Sequence, residues 1–543
     1  MKYYGLPFLL CLFLNFGFSQ NTVGTIVNSN DAFSGYTLFS FGKKTYLIDN
    51  CGQRINEWTS QYNTIGVVYL LEDGSLLRSA TLNNSNITFG GVSGRIEKFD
   101  WDGNLTWSFD YSDNNKRLHH DFYPLPNGHI LALAVTKLSN QQALDLGRAP
   151  ENIVANLYNE QIIEIEPQGE SSANIVWIWN IKDHLIQDFD SSKPNFGNIS
   201  GHPERLNVNY LNENPPIANW LHFNSIQYNQ SLKQIILSSR LLSEIYIIEH
   251  TETSAIAASN SGGIYNKGGD FLYRWGNPEA YNMGTTTSQK LFGQHFPHWI
   301  PEGLPEEGKL MIFNNGAQRT PSFSEVFILS PPVTESGLYE LLDGQAYSPQ
   351  QPDYTYYNQA MPGSFYSPIV SGAQMLPNGH ILICDGDSGH FFEIDDEENV
   401  VWDYVSPIVN LGILNQGDIP SGNLVFRATK YATDYAAFNN RDITPGLPIE
   451  INPDLSACNT LSSESIVETS FKMYPLPAHQ FLNITSSKPI NSITIYNAFG
   501  HIIKTQPVKK LTTQINVSTF STGLYFVVLK IGNDSFTRKM IKS

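Results

Sequence analysis

The chain has 543 residues, more than one hydrophobic core usually supports, so several domains or a modular repeat are expected. Its formal net charge is −18, and no cluster of lysine and arginine offsets that charge, which argues against nucleic acid as a partner. Aromatic residues make up 12% and charged residues 15%, with 41 glycines and 30 prolines, a balance that favours many short strands and turns over helices.

The first 20 residues have the pattern of a signal peptide. Lys2 precedes an apolar run from Leu6 to Phe18, and the small residues Gly17 and Ser19 lie near its end. The run is too short to span a bilayer, and no later stretch reaches the roughly 18 apolar residues that a transmembrane helix needs. We therefore expect residues 1–20 to be removed and the mature chain to be exported without a transmembrane segment.

Removal of the signal peptide leaves three cysteines, Cys51, Cys384 and Cys458. An exported protein can hold a disulfide. A Cys51–Cys458 bond would pin the start of the main domain to its end, and three unpaired thiols are the alternative.

A repeated string, LPNGHIL, occurs at Leu125–Leu131 and at Leu376–Leu382. Pro-Asn-Gly favours a turn and His-Ile-Leu opens a strand, so each copy predicts a hairpin corner. Strand pairs that end on a large aromatic residue recur six times along the chain. The aromatic residues are Trp58, Trp107, Trp179, Trp275, Tyr339 and Trp402. This recurrence predicts an all-β fold, a six-bladed β-propeller over residues 21–448, with an array of β-sandwiches as the alternative.

Several histidines and arginines stand where successive blades begin. The motifs that contain them are RLHHDFYPLPNGHIL with His119 and His120, NWLHFNSI with His222, QIILSSR with Arg240, and LFGQHFPHWIP with His295 and His298, followed by Arg319. Because the inner strands of a propeller meet at its axis, we expect His120, His222, Arg240 and His295 to converge there. A lone histidine elsewhere is more often a surface residue or a satisfied hydrogen-bonding partner.

After the propeller, residues 449–470 lack strand alternation and predict a linker. Residues 471–543 show short alternating strands and a basic end, which predicts a small β-sandwich-like domain. This tail resembles the type A sorting domain of the Bacteroidota type IX secretion system. The matching strings are Tyr474–Ala478, Ile495–Gly500, Gly523–Val527 and Lys539–Lys542. The resemblance implies export across the outer membrane through the type IX machinery, either to the cell surface or into the medium.

The main domain resembles the arylsulfotransferase family between about Tyr46 and Val425. Its most specific strings are HWIPEGLP followed by FNNG, and SGAQMLPNGHILIC. The resemblance implies a six-bladed propeller that moves a sulfuryl group from a phenolic sulfate ester to a phenol by a ping-pong mechanism. It also implies a transiently sulfated histidine, with no nucleotide donor, no metal and no other cofactor.

The resemblance assigns roles to individual residues. The implied catalytic residues are the nucleophile His295 and three sulfuryl-binding or proton-handling residues, His120, His222 and Arg240. The implied substrate-binding residues are His119, His298, Arg319 and Phe223. Phe296 and Met375 depart from the family pattern, where a small or acidic residue and a basic residue are common.

Other functions stay open on the sequence alone. Propellers host many functions, so a non-catalytic propeller that binds a glycan or a protein partner is the main alternative. A quinone- or metal-dependent oxidoreductase is a weaker alternative, since paired cysteines and clustered carboxylates are lacking in the sequence. Clustered histidines also leave zinc or copper binding as a testable rival.

Overall fold

The computed structural model describes residues 21–154, 156–211, 216–458, 471–475, 477–497, 500–531 and 534–543. The predicted signal peptide and residues 459–470 of the predicted linker lie outside the described residues. The chain forms two compact units, residues 1–458 and residues 459–543.

Six antiparallel sheets of four or five strands make up the first unit, and each sheet is one propeller blade. In sheet order, blade one contains Thr429–Ala432, Gly35–Phe41, Lys44–Ile48 and Arg54–Thr59; blade two, Val68–Leu70, Leu76–Thr81, Gly94–Phe99 and Leu105–Asp110; blade three, Lys116–Pro124, Ile130–Leu138, Leu157–Gln168 and Ser172–Asn180. Blade four contains Phe223–Asn229, Gln234–Ser239, Glu244–Glu249 and Tyr273–Trp275; blade five, His295–Trp299, Leu310–Asn314, Glu325–Leu329 and Tyr354–Tyr356; blade six, Gly372–Met375, Ile381–Asp385, His390–Ile394, Val400–Val405 and Gly24–Asn28. The predicted all-β, six-bladed propeller is therefore confirmed.

Smaller elements lie between the blades. Leu185–Ile186 pairs with Leu206–Asn207, and Ile408–Val409 pairs with Gly412–Ile413. The α-helices of the described residues are the short segments Asn140–Asp145 and Ser254–Ala257. The 3-10 turns are Pro150–Asn152, Ile181–Asp183, Ile199–Gly201, Pro278–Tyr281, Thr286–Ser288, Pro362–Ser364 and Ala436–Phe438.

The two LPNGHIL strings form the same corner in blades three and six. In the first copy the Leu125 amide donates to the His129 carbonyl at 2.8 Å, and the Gly128 amide donates to the Leu125 carbonyl at 2.9 Å. The second copy repeats both bonds at 2.8 and 2.9 Å. Gly128 has a φ of 86°, a left-handed conformation that favours glycine. The sequence repeat thus predicts a repeated hairpin corner correctly.

The recurring tryptophans join neighbouring blades. In five of the six blades an indole N–H donates to a backbone carbonyl that belongs to the next blade or the loop beside it. The five pairs are Trp58 with Asp100, Trp107 with Ser172, Trp179 with Gly269, Trp275 with Pro349, and Trp402 with Asn50. Each indole buries a large apolar ring and satisfies its polar N–H in the same contact.

Blade five differs from the predicted repeat. Tyr339 was expected to end its outer strand, but the outer strand is Tyr354–Tyr356. Pro331 and Pro332 follow the strand Glu325–Leu329 and cannot donate to a sheet, so the chain leaves the blade there. Tyr339 instead donates its hydroxyl hydrogen to Gln234 Oε1 of blade four at 2.7 Å.

Both ends of the first unit close the ring. The strand Gly24–Asn28 pairs with Val400–Val405 at the outside of blade six, and Thr429–Ala432 pairs with Gly35–Phe41 in blade one. A disulfide joins Cys51 to Cys458, 407 residues apart. Residues 449–458, at the start of the predicted linker, belong to this unit.

The second unit is one antiparallel sheet. Its order is Phe471–Tyr474, Phe481–Asn497, Gly523–Ile531 and Asp534–Lys542, and Ile502–Asn516 also pairs with Phe481–Asn497. Inward-facing residues such as Leu482, Ile493 and Val527 are fully or almost fully buried. Among the described residues, no helix is both long enough and apolar enough to cross a membrane.

The disulfide generates a prediction about stability. Replacing both Cys51 and Cys458 with serine should lower the free energy of unfolding by about 2–4 kcal/mol, because the bond restricts a very long loop in the unfolded chain. Urea denaturation of the first unit measures this. In the wild type, a reductant should lower the free energy of unfolding by the same amount, and in the double variant it should have no effect. Equal urea midpoints of the wild type with and without reductant would contradict the prediction.

Candidate active site at the propeller axis

The first strands of blades three, four and five share an unusual backbone. His120, His222 and Phe296 have φ angles of 45°, 52° and 50°, in the left-handed region that non-glycine residues rarely adopt. The pairing register shifts beside each of them, between Ala132 and Ala134, between Phe223 and Ser225, and between His295 and His298. Bulges of this kind turn a side chain away from the regular strand alternation, and strained backbone of this kind clusters at functional sites. The irregular positions are His120 and His222 themselves and Phe296, which directly follows His295.

Three histidines from blades three and four form a buried cluster. The imidazole rings of His120 and His222 have centroids 4.5 Å apart. His119 Nδ1 lies 2.9 Å from His120 Nδ1, and His119 is 1% exposed. Phe89 packs against all three rings, with centroid distances of 5.4, 6.1 and 5.9 Å to His119, His120 and His222. His119 and His120 of blade three and His222 of blade four therefore all pack against the ring of Phe89.

His295 is held in one tautomer by Asn315. The Nδ2 group of Asn315 donates to the carbonyls of Ser367 at 2.7 Å and Val370 at 2.9 Å, so its Oδ1 must face His295. His295 Nδ1 lies 2.8 Å from that oxygen and therefore carries the proton. In the neutral ring the lone pair then lies on Nε2. This is the arrangement that a histidine nucleophile needs.

His222 is also held by an asparagine. The side-chain amide of Asn219 lies 2.6 Å from His222 Nδ1, and Asn219 Oδ1 is buried without a hydrogen-bond partner. The contact orients the His222 ring and leaves Nε2 as its second polar atom.

Burial and positive neighbours keep these rings neutral. Burial lowers the pKa of His295 to about 3, with Arg240 and Arg427 acting in the same direction against the Asn315 hydrogen bond. Burial, together with His222, His119, His295 and Arg240, also holds the pKa of His120 well below its usual range. The pKa of His222 is lowered by burial and then by Arg240. Arg240 acts on all three rings, so its positive charge faces the cluster.

Two glycines lie beside the histidines, and the ring of His120 packs directly against one of them. A Cβ atom at Gly91 would lie 2.1 Å from His120 Nε2, and one at Gly90 would lie 4.0 Å from His222. Phe426 closes another side, with its ring centroid 6.4 Å from His120 and 6.2 Å from His295. Arg240 also lines a cavity of about 200 Å³ with Phe292. Gly90, Gly91, Phe426 and the cavity beside Arg240 therefore border the cluster.

The structure brings five of the eight predicted site residues together: His119, His120, His222, His295 and Arg240. The other three lie elsewhere. Phe223 has a fully buried ring that packs on Tyr246, so that only its backbone faces the cluster. His298 stacks on Phe296 with centroids 4.5 Å apart, and burial lowers its pKa to about 4.

Arg319 also stands apart from the cluster. Its guanidinium pairs with Glu325 at 2.7 Å and lies over the ring of Phe323, 3.6 Å from the centroid. The positive charge of Arg319 is therefore balanced by Glu325, within blade five and the loop beside it.

The cavity that contains His298 is the larger one, about 690 Å³, and it lies at the far ends of the first strands. Residues that line it include Tyr123, Tyr228, Trp299 and Met375. Tyr123, Tyr228 and Trp299 each follow a clustered histidine of the same blade by three to six residues, and Phe296, which directly follows His295, also lines the cavity. Met375, a position that departs from the family pattern, therefore lines this cavity.

Several residues of the site were not predicted. Asn315 occurs within the FNNG string and Asp121 within HHDF, so the motifs contained them without showing their roles. Glu160, Asn219 and Phe89 carry no sequence signal that we can identify. Among the described residues, no group of three histidine, cysteine, aspartate or glutamate side chains is arranged to hold a metal ion.

Fold and site together define a six-bladed propeller whose axis gathers neutral imidazoles and a guanidinium into one buried cluster. A family model described as Arylsulfotransferase (ASST) matches residues 37–430, more than half of the chain. The protein therefore belongs to the arylsulfotransferase family, and the predicted resemblance is confirmed. A second model, Secretion system C-terminal sorting domain, matches residues 472–543. The protein is exported to the cell surface or secreted, as the type IX sorting domain indicates.

Relatives outside these models are distant. Beta-agarase A of Zobellia galactanivorans is 35% identical over 78 residues, which is 14% of this chain and 14% of that protein. A protein of unknown function from Bacteroides caccae is 12% identical, with a TM-score of 0.39 over 74% of this chain and 99% of that one. A putative 6-phosphogluconolactonase from Bacteroides fragilis is 12% identical, with a TM-score of 0.33 and the same coverage. Such similarities say nothing about the function of this chain.

The space beside His120 generates a prediction. Gly91→Ala should reduce aryl-sulfate turnover by roughly a hundredfold, because its methyl group would displace the imidazole by about an ångström or more. Gly103→Ala is the matched control, since Gly103 has a similar φ of 86°, against 83° at Gly91, and nothing within 4 Å of its Cβ position. Both variants should lose about 1–2 kcal/mol of stability from the left-handed backbone. Equal activities of the two variants in a 4-nitrophenyl sulfate assay would contradict the assignment.

Proposed function

We propose that this protein transfers a sulfuryl group from a phenolic sulfate ester to a phenolic acceptor through a sulfohistidine at His295. The observation that carries the proposal is the His295–Asn315 hydrogen bond, which leaves a lone pair on Nε2 of a ring buried beside Arg240. Family membership supports aryl-sulfate chemistry in general. The covalent intermediate and the ping-pong order are our proposals.

The first half of the reaction uses the nucleophile His295 and the guanidinium of Arg240. His295 Nε2 attacks sulfur, the S–O bond of the ester breaks, and the phenolate leaves. Negative charge spreads over the sulfuryl oxygens during transfer, as it does over a phosphoryl group. Arg240 offers a permanent charge and a planar fork of donors for those oxygens, and His222 would add an N–H donor in the tautomer that carries its proton on Nε2. Removing one such donor commonly costs about a hundredfold to a thousandfold in rate.

The second half reverses the chemistry with a different phenol. The acceptor loses its proton to a base, its oxygen attacks sulfur, and the S–N bond returns its electron pair to His295 Nε2. His120 is the proposed proton carrier, because its ring centroid lies 4.5 Å from that of His222, in the cluster that also contains His295 and Arg240. Phe426 and Phe89 offer apolar faces on which an aryl group can stack.

The nucleophile is tested by His295→Asn. Release of 4-nitrophenol should fall by roughly a thousandfold or more, since no other lone pair replaces Nε2. The wild type without acceptor should release one equivalent in a burst and gain the mass of one SO₃ group on the peptide that contains His295. His390→Asn, a partly buried histidine of blade six paired with Asp403 at 2.8 Å, is the control and should retain the burst. A burst that survives His295→Asn would exclude His295.

The lowered pKa generates a prediction about pH. A pKa of about 3 means that Nε2 stays unprotonated above that value, so acid should not inactivate the nucleophile near the ordinary histidine pKa of about 6.5. The single-turnover burst rate should therefore stay flat from about pH 7.5 to about pH 5. Rapid quenching with chromatographic quantification of the phenol measures it, with circular dichroism as the check on folding. A fall with a midpoint near 6.5 would show that His295 is not shielded.

A further inference from the structure

Glu160 is a buried carboxylate that reaches the histidine cluster. It lies in the strand Leu157–Gln168 of blade three and is 1% exposed. Its Oε1 accepts the backbone N–H of Phe223 at 3.0 Å. Its Oε2 lies 3.0 Å from His119 Nε2, in contact as an ion pair but without hydrogen-bond alignment. A charge this deeply buried is costly unless a cation balances it, and His119 is the group placed to do so.

The contact between His119 and His120 restricts where protons can lie. Their Nδ1 atoms are 2.9 Å apart, so one atom must donate and the other accept. If His119 is neutral, the carboxylate favours its proton on Nε2, and His120 must then donate from Nδ1 and keep a lone pair on Nε2. If His119 is an imidazolium, it donates from Nδ1, and the proton of His120 lies on Nε2. The charge of His119 thereby decides whether His120 is a base or an acid.

His120 is poorly suited to hold a positive charge itself. Its ring is 4% exposed, and His222, His295 and Arg240 all oppose its protonation. A proton that arrives at Nε2 must therefore leave by the other nitrogen. The only ring in hydrogen-bond contact with that nitrogen among the described residues is His119, the one beside the carboxylate.

We propose that Glu160 and His119 form a proton relay that stores, as a His119 imidazolium, the proton that His120 exchanges with the phenolic oxygen. The inference rests on the proposed function and extends it by two positioning residues. In the donor half, His120 Nε2–H protonates the leaving phenolate while His119 Nδ1 passes its proton to His120 Nδ1. His295 gains the sulfuryl group, and the positive charge on His119 disappears as the negative phenolate is neutralised.

The acceptor half returns the proton along the same route. The incoming phenol gives its proton to His120 Nε2, and His120 Nδ1 passes its own proton to His119 Nδ1. The phenolic oxygen forms the new S–O bond as the S–N bond to His295 breaks. No proton is gained or lost over the full cycle, and Glu160 stabilises the stored charge without being protonated itself.

The relay is tested by the dependence of rate on the leaving group. Glu160→Gln keeps the size of the side chain and the acceptor for Phe223 N–H but removes the charge. The single-turnover rate with phenyl sulfate, a poor leaving group that needs protonation, should fall roughly a hundredfold. The rate with 4-nitrophenyl sulfate, a good leaving group, should fall less than about threefold. A merely structural role would lower both rates by the same factor.

Matched variants complete the experiment. Glu164→Gln removes a carboxylate from the same strand that pairs with His129 at 2.6 Å and His250 at 2.9 Å, away from the cluster, and should leave both rates unchanged. Glu160→Asp retains the charge and should recover at least tenfold of the phenyl sulfate rate. His119→Asn should reproduce the Glu160→Gln pattern, and it replaces that variant if Glu160→Gln does not fold.

The outcomes separate the relay from the proposed function. Equal losses with both esters in Glu160→Gln and His119→Asn would overturn the relay while the sulfohistidine stands. Absence of any burst or SO₃ adduct in the wild type would overturn the proposed function. A selective loss with phenyl sulfate, restored by aspartate, is the result that we expect.

Discussion

A single ion pair at the axis connects all the blades that build the site. Arg427 contacts Asp121 through two nitrogens, each 3.1 Å from a carboxylate oxygen. Asp121 belongs to blade three and also accepts the Ile226 amide of blade four, whereas Arg427 leads into the strand that closes blade one. The guanidinium lies 4.0 Å from the ring centroid of Phe296 in blade five, and its Nη2 donates to the hydroxyl of Tyr69 in blade two at 3.0 Å. Because Asp121 follows His120 and Phe296 follows His295, this pair fixes the spacing of two histidines.

The burial that tunes the site also has a thermodynamic cost. Histidines whose pKa is lowered in the folded protein bind protons more readily in the unfolded chain at pH values below about 6.5. Folding stability therefore falls as pH drops from about 6.5 towards the folded-state pKa values, and it is fully retained above that range. The tryptophan bonds between blades and the disulfide supply stability that does not depend on the charge of the histidines.

The sequence predicts those features of the structure that repeat. LPNGHIL and the terminal tryptophans mark blade corners and blade contacts because each blade solves the same packing problem. Convergence of His120, His222 and His295 follows once the blades are placed around an axis. Glu160 and Asn219 could not be predicted, since their roles depend on the register between neighbouring strands. Phe223 was predicted to bind substrate, but the bulge beside His222 turns the Phe223 ring towards the core. The sequence pattern does not reveal such a bulge. An insertion in blade five places the outer strand, Tyr354–Tyr356, after Tyr339. Because the insertion breaks the repeat, the sequence pattern does not identify that strand.

Three imidazoles at one site receive three different partners, and the difference determines their chemistry. Asn315 presents an oxygen to His295, so the lone pair lies on Nε2. The side-chain amide of Asn219 contacts Nδ1 of His222. His119 Nε2 lies 3.0 Å from the carboxylate of Glu160, and His119 Nδ1 lies 2.9 Å from His120 Nδ1. In the reaction that we propose, one residue type would thereby supply both the nucleophile and the reversible proton store.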